Sequence, residues 1–302
     1  MSLPNFMCIG AAKSGTTSLY DILRQHPDIY IPSFKEPHFF DIPENFSNGL
    51  SWYENTYFKK IDKKIIADFT PSYFFDKNAP KRIFESLGNE MKFLVILRNP
   101  VDRAYSHYLH SKRDFHETED FESSLKLENT RLNTYMDQFD YLSYLRHSYV
   151  QQGLYSEMTE RYLQYFNLDN FLFVSFEDEF LKSRDLTIKK ILDFLEVDSS
   201  VNLHTDIRSN PSSKEKSKGL KIMMQKTGWW RFFIKQMIPS LKIRQIIKNR
   251  IQRANIRAYN PPKLSQMQKH NIYDCYFRDD ISNLESILNR DLSYWIPNNC
   301  EK

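Results

Sequence analysis

A short apolar run near the start of the chain leads through a loop with two glycines into a helix, and this order constrains the fold most. Residues 6–11 (FMCIGA) are apolar apart from one glycine, which is typical of a buried strand in a parallel sheet. Residues 16–25 (TTSLYDILRQ) carry apolar side chains at helical spacing. The loop between them, residues 10–17, reads GAAKSGTT. A strand, a loop and a helix in this order predict the first unit of an α/β sheet.

The same alternation of apolar runs and helical patterns continues along the chain. Further strands are predicted at residues 64–69, 92–97 and 171–176, and further helices at residues 79–87, 100–111, 141–166, 186–195 and 263–288. We therefore predict an α/β fold with a P-loop-like open parallel sheet, flanked by helices, and a basic helical C-terminal part. Residues 1–302 are predicted to form a single domain, in which about 210–262 form a basic loop and a helical lid.

The loop at residues 10–17 differs from the loop of nucleotide triphosphatases at one decisive place. That loop reads G-x-x-x-x-G-K-[ST], but here Thr16 stands at the lysine position and the lysine is Lys13. Backbone amides at the start of the following helix would still cradle an anion. A lone ammonium suits the transfer of a sulfuryl group, which carries less charge than the γ-phosphoryl group for which Mg²⁺ and lysine are used together. The alternative is an ordinary turn with an exposed lysine.

A second anion site is predicted where the strand at residues 92–97 ends. Arg98 leaves this strand, and Ser106 lies two turns into the next helix. An arginine fork and a hydroxyl can grip one phosphate together. The carboxyl ends of neighbouring parallel strands meet at one edge of a sheet, so two anion sites there suit a nucleotide with two phosphate groups. An ordinary ion pair of Arg98 at the sheet edge is the alternative.

Positive charge is concentrated between residues 208 and 257. This stretch has fourteen Lys or Arg residues and one acidic residue, Glu215, whereas the whole chain carries only +4. Its Trp and Phe side chains are interspersed with these charges, which predicts a helical lid or, alternatively, peripheral membrane contact through residues 221–257. No nucleic-acid-binding module accompanies the charge, so we predict no nucleic-acid partner.

Cysteine usage and the N-terminus predict a cytoplasmic protein without a metal site. The three cysteines lie far apart and have no metal-ligand spacing. The chain runs from Met1 into a strand by Phe6, which leaves no room for a signal peptide, and no apolar run approaches the roughly 20 residues of a membrane span.

Five segments, taken in order, resemble those of sulfotransferases that use 3′-phosphoadenosine 5′-phosphosulfate (PAPS). Residues 10–23 (GAAKSGTTSLYDIL) are similar to the family's 5′-phosphosulfate loop, and residues 95–111 (VILRNPVDRAYSHYLHS) to its 3′-phosphate motif. Residues 35–41 (KEPHFFD) resemble the acceptor-side segment of the heparan-sulfate-like and bacterial branch. Residues 67–74 (ADFTPSYF) and 280–295 (DISNLESILNRDLSYW) extend the similarity over almost the whole chain.

The resemblance implies which residues bind the donor. The 5′-phosphosulfate would be bound by Lys13, Ser14, Gly15, Thr16 and Thr17, and the 3′-phosphate by Arg98 and Ser106. A basic loop would close over the 3′-phosphate, and its matching residues are Lys214, Lys216, Lys218 and Gly219.

The resemblance also places the acceptor beside residues 35–41. Glu36 matches the glutamate taken as the general base in glycan-modifying members, and His38 is the second candidate for that base. Lys35 and Asp68 would lie on the acceptor side, with Asp68 either orienting the base or touching the acceptor. Glycan 3-O-sulfotransferases carry a lysine where this chain has Phe69, which disfavours an anionic heparan-type acceptor.

The sequence therefore predicts an enzyme that moves a sulfuryl group from PAPS, without a metal, to a hydroxyl or amine of a carbohydrate or small metabolite, leaving 3′-phosphoadenosine 5′-phosphate (PAP). Two other classes stay open. A P-loop kinase or other nucleotide-binding enzyme would need a lysine after Gly15. A basic membrane-associated adaptor on a nucleotide-binding fold would rest only on the charge of residues 208–257. The sequence specifies neither the acceptor nor the oligomeric state.

Overall fold

The computed structural model describes residues 2–207, 213–215, 256–259 and 261–297. The chain divides into two compact units, one made of Met1–Ser209 with Leu264–Lys302 and the other of Asn210–Lys263. The second unit covers nearly the same residues as the basic segment that the sequence singles out. Its described part is an antiparallel pair of strands, β6 (Ser213–Glu215) and β7 (Ile256–Ala258). The single-domain assignment stays a prediction.

The first unit is built on a five-stranded parallel sheet in the order β2-β3-β1-β4-β5. The strands are β1 (Phe6–Gly10), β2 (Ile29–Tyr30), β3 (Ile65–Phe69), β4 (Lys92–Leu97) and β5 (Phe171–Ser175). The four strands expected from apolar runs are all present, which confirms the predicted α/β fold with a parallel sheet. Strand β2 was not predicted because two residues are too few to show a pattern.

The α-helices of this unit pack on both faces of the sheet. They are α1 (Thr16–Leu23), α2 (Pro43–Phe46), α3 (Leu50–Tyr53), α4 (Ala79–Leu87), α5 (Pro100–Arg113), α6 (Phe121–Asp137), α7 (Tyr141–His147), α8 (Tyr155–Leu163), α9 (Arg184–Phe194), α10 (Gln266–Tyr276) and α11 (Arg278–Leu288). Within the described residues, no helix has the length and apolar character that crossing a membrane would take.

The helix expected over residues 141–166 is broken into α7, a 3₁₀ turn (Gln151–Gly153) and α8. The break is explained by the buried carboxylate of Glu128, which accepts the N–H groups of Val150 and Gln151, at 2.7 and 2.9 Å. Amides bonded to a distant side chain no longer extend a helix. The final helix expected over 263–288 is likewise two helices, separated at Phe277.

Strand β1 lies at the centre of the core and is buried on both faces. Phe6 and Cys8 pack with apolar residues of α1 and α9, whereas Met7 and Ile9 pack with those of α4, α5 and α8. All four side chains are fully buried. Alternate residues of a strand point to opposite faces, so a continuous apolar run is what a sheet covered on both sides requires.

A buried carboxylate ties the C-terminal part of the chain to the start of α8. Asp280, in α11, accepts hydrogen bonds from the backbone N–H of Ser156, at 3.0 Å, and from its hydroxyl. These groups lie in the first turn of α8, where backbone N–H groups have no partner within the helix.

We expect Asp280→Ala to lower the free energy of unfolding by about 1–3 kcal/mol, because it leaves a buried N–H without an acceptor. Chemical denaturation followed by circular dichroism measures this. Asp279→Ala is the matched control, since Asp279 is exposed on the same helix. Equal midpoints for the two variants would contradict this role.

Candidate active site

The loop after β1 has the conformation of an anion cradle. Gly15 directly precedes α1 with φ of 85°, a left-handed conformation that favours glycine. A Cβ atom there would lie 2.9 Å from the ring of Phe176, so the site excludes a larger residue for two independent reasons. Lys13 also has a positive φ, 72°. The loop thus turns sharply and directs the start of α1, where the first N–H groups point along the helix axis, to the sheet edge.

Two buried polar atoms at this edge have no hydrogen-bond partner, namely the hydroxyl of Ser14 and Nε of Arg98. Ser14 is fully buried. Buried polar atoms are normally paired, and an anion bound at the start of α1 would supply an acceptor for such donors. The residues present therefore fit a phosphate or sulfate group.

The second predicted anion site is joined directly to the first. Arg98 follows β4, the neighbour of β1, and its Nη1 donates to the carbonyl oxygen of Lys13 at 2.8 Å. Its guanidinium also lies over the ring of Phe176, 5.0 Å from the centroid. No ion pair joins Arg98 to a carboxylate of the described residues, unlike the alternative suggested by the sequence. Ser106 is half-buried in the second turn of α5.

Asn99, the residue after Arg98, is bonded to two distant parts of the chain, which the sequence did not reveal. Asn99 caps α5 by accepting the N–H groups of Val101 and Asp102. Its side-chain amide donates to the carbonyl of Trp295 at 2.9 Å, and its backbone N–H donates to Glu177 at 3.1 Å. These bonds fix the backbone at the residue after Arg98.

The basic loop predicted to close over the 3′-phosphate lies largely outside the described residues. Lys214 is in β6, whereas Lys216, Lys218 and Gly219 fall outside the described residues. Their role stays a prediction.

Lys13 combines burial with nearby positive charge. Burial, followed by the charges of Arg113 and Arg98, lowers the pKa of Lys13 to about 8. The ammonium is thus still charged at neutral pH but poorly compensated, so an incoming anion is favoured there.

Residues 35–38 lie against the phosphate loop in a strained conformation. Glu36 and His38 both have positive φ, 63° and 52°, which is rare for residues other than glycine and is often found at functional sites. The ammonium of Lys35 pairs with Glu36 Oε1 and also donates to Thr17 Oγ1, at 3.2 Å. Glu36 Oε2 lies 3.7 Å from His38 Nε2. The acceptor-side segment and the phosphate loop are therefore in direct contact.

His38 lies between two carboxylates. Its Nδ1 is 2.8 Å from Oδ2 of the buried Asp41, which also accepts a hydrogen bond from the hydroxyl of Ser72. Burial alone would lower the pKa of His38, but the hydrogen bonds and charges of Asp41 and Glu36 outweigh it and raise that pKa to about 10. Asp41 was missed, although its place three residues after His38 was visible in the sequence. Nothing in the sequence pointed to Ser72.

Charged His38 cannot accept a proton, so Glu36 is the better candidate base of the two. Burial would raise the pKa of Glu36, but His38 and Lys35 together hold it at about 2. Its side chain is 37% exposed and thus open to an acceptor. The assignment of the base stays a prediction.

Asp68 lies in the interior of the protein. It is fully buried, and its carboxylate accepts hydrogen bonds from Tyr53, Thr70 and Tyr73. Burial, only partly offset by these hydroxyls, raises its pKa to about 6. Tyr73 in turn accepts the backbone N–H of Phe39 at 2.9 Å. Asp68 is therefore linked through Tyr73 to the segment that carries His38, and its contact with an acceptor stays a prediction.

No group of three or more His, Cys, Asp or Glu side chains is placed to hold a metal ion in the part of the chain that the structure describes.

We expect two histidines of this region to have opposite charge states near neutral pH. The ring of His38 should stay protonated from pH 6 to 8, whereas His107, whose pKa burial and then the nearby charge of Arg103 hold well below the usual range, should stay neutral. Long-range ¹H–¹⁵N NMR of the imidazole rings reports both states. Asp41→Asn should bring the pKa of His38 down, and titration of wild-type His38 near 6.5 would contradict the carboxylate pair.

Comparison with known proteins gives a consistent result. The family model described as the sulfotransferase domain matches residues 3–260. Heparan sulfate glucosamine 3-O-sulfotransferase 3B1 of Homo sapiens is 34% identical over 175 residues, 58% of this chain and 42% of the relative. Heparan sulfate glucosamine 3-O-sulfotransferase 3A1 of Mus musculus is 33% identical over 193 residues, 64% of this chain and 46% of the relative. The chain thus spans less than half the length of these relatives.

Among solved structures, a sulfotransferase from Alicyclobacillus acidocaldarius superimposes with a TM-score of 0.70 and 26% identity, covering 98% of this chain and 99% of that one. A family match over most of the chain and a shared fold over nearly all of it lead to one conclusion: this chain belongs to the sulfotransferase domain family.

Proposed function

We propose that this protein transfers a sulfuryl group from PAPS to a hydroxyl or amine of a carbohydrate or small-molecule acceptor, releasing PAP. The observation that carries the proposal is the direct bond between the two anion sites, in which Arg98 donates to the carbonyl oxygen of Lys13. A nucleotide with a phosphosulfate at one end of its ribose and a phosphate at the other needs two such sites on neighbouring strands. Family membership supports the same donor.

The donor would be held by the residues around these two sites. Ser14, Thr16 and Thr17, with the N–H groups that open α1, would bind the 5′-phosphosulfate. Arg98 and Ser106 would bind the 3′-phosphate, the arginine through a charge-assisted pair.

The transfer needs a base and a cation on opposite sides of the sulfur atom. Glu36 takes the proton of the acceptor hydroxyl as the acceptor oxygen forms its bond to sulfur. The bond between sulfur and the bridging phosphate oxygen breaks, and its electron pair stays on the phosphate of PAP. Lys13 stabilises the charge that develops on that oxygen. His38, held protonated by Asp41, keeps Glu36 ionised and oriented.

Support for a carbohydrate acceptor comes from the relatives, which are named as heparan sulfate glucosamine sulfotransferases. One residue position argues against a strongly anionic polysaccharide as the acceptor. The family resemblance places Phe69 where glycan 3-O-sulfotransferases carry a lysine, and Phe69 is 1% exposed within the core. We therefore favour a neutral or weakly charged acceptor hydroxyl. The cytoplasmic location, the lid role of about 210–262 and membrane contact through 221–257 stay predictions.

Lys13→Ala should reduce sulfuryl transfer at least about a hundredfold, the effect of losing a group that stabilises developing charge. Mass spectrometry of candidate acceptors incubated with PAPS would detect the gain of one sulfo group. Lys59→Ala, at an exposed lysine, is the control. We expect full activity in EDTA, and loss of turnover on chelation would overturn the metal-independent mechanism.

Arg98→Ala should weaken PAP binding about 30- to 150-fold, as expected for a charge-assisted pair worth about 2–3 kcal/mol. AMP, which has no 3′-phosphate, should be affected much less. Titration calorimetry with both nucleotides measures the difference. The control is Arg24→Ala, at the other end of α1. Equal weakening of PAP and AMP would show that Arg98 does not bind the 3′-phosphate.

A further inference from the structure

Lys35 lies at the junction between the donor site and the candidate base. Its ammonium pairs with Glu36 Oε1, and the same atom is 3.2 Å from Oγ1 of Thr17, in the first turn of α1. The side chain of Lys35 is 18% exposed, against 37% for Glu36. One cation is therefore shared between the carboxylate that should accept the acceptor's proton and the helix start that should bind the phosphosulfate.

This arrangement creates a conflict for catalysis. A carboxylate held by both an ammonium and an imidazolium is a weak base, because both neighbours stabilise its ionised form. The pKa of Glu36 is accordingly held at about 2 by His38 and Lys35 against the effect of burial. General base catalysis is more effective when the base has a pKa nearer the working pH. One of the two cations must weaken its hold before transfer.

The two cations differ in how firmly they are held. His38 is fixed on its other side by Asp41, at 2.8 Å, and Asn45 holds its backbone carbonyl, also at 2.8 Å. Lys35 has a flexible side chain, and its second contact is the neutral hydroxyl of Thr17. A doubly charged phosphosulfate at Thr17 offers Lys35 a stronger partner than a hydroxyl does.

We propose that Lys35 moves from Glu36 to the phosphosulfate when the donor binds, so that occupancy of the donor site activates the base. Lys35 then stabilises the sulfuryl group that is transferred, while Glu36 becomes able to take the acceptor's proton. In the absence of donor, Lys35 keeps Glu36 paired. This inference rests on the proposed function and adds Lys35 as a second cation that acts on the transferred group.

Other charged groups also face Glu36 and stay in place during this exchange. Lys13, in the loop after β1, contributes positive charge, and His38 lies on the same segment. Asp41 lies beside His38, and a charge interaction joins Asp68 to His38. Burial raises the pKa of the Cys8 thiol to about 12, so this thiol stays neutral. Among these groups, as far as the structure describes the chain, Lys35 is the one whose ammonium contacts both the carboxylate of Glu36 and the first turn of α1.

A double-mutant cycle on donor binding tests the exchange. PAPS is titrated without acceptor into wild type, Lys35→Met, Glu36→Gln and the double variant, by calorimetry. We expect Lys35→Met to weaken binding about tenfold and Glu36→Gln to tighten it about three- to tenfold, because Lys35 no longer has to leave a carboxylate. In the Lys35→Met background, Glu36→Gln should change the affinity less than about twofold. Lys35→Arg should keep most of the affinity.

The outcomes distinguish a failure of the Lys35 exchange from a failure of the proposed function. If Glu36→Gln tightens PAPS binding equally in both backgrounds, the charges act independently and the exchange is wrong. If wild type itself fails to bind PAPS, the proposed function fails. The pH dependence of kcat gives a second readout. If Lys35 has already left Glu36 in the ternary complex, Lys35→Met should leave the acidic limb of the kcat profile at the same pH as in wild type. A shift of that limb to higher pH would show that Lys35 stays on Glu36 throughout.

Discussion

The side-by-side pairing of β1 and β4 is the constraint on which the site depends. Both strands are parallel and central, so the loops that follow them emerge at the same edge of the sheet. This brings Arg98 within 2.8 Å of the carbonyl of Lys13, and the ring of Phe176 lies against both Arg98 and Gly15. The starts of the two loops that carry the predicted anion sites are thus held side by side by backbone hydrogen bonds of the sheet.

The acceptor-side segment is held by a different part of the same sheet. Asp68, near the end of β3, fixes the hydroxyl of Tyr73, which in turn fixes the backbone after His38. Because β3 is the other neighbour of β1, donor and acceptor groups are supported from both sides of one strand. Buried hydrogen-bond chains of this kind hold the strained backbone at Glu36 and His38 in place.

Charge in the site is arranged around the transferred group. Lys13 and Arg98 would meet the two ends of the donor, whereas Glu36, which contacts His38 and Lys35, would face the acceptor. Each cation that steadies the carboxylate also weakens it as a base. One of these cations, Lys35, also contacts Thr17 in the predicted donor site. Lys35 could therefore leave Glu36 without losing every partner.

The sequence alone was enough to determine the parallel α/β fold, because continuous apolar runs and the loop at residues 10–17 are local signals. It also singled out Lys13 and Arg98, in the loops that follow β1 and β4, and, through the family resemblance, Glu36. It could not show the break of the helix at 141–166, which a carboxylate distant in the chain causes, or the pairing of Asp41 with His38. Those features arise from contacts between residues that only the folded sheet brings together, and no local pattern records them.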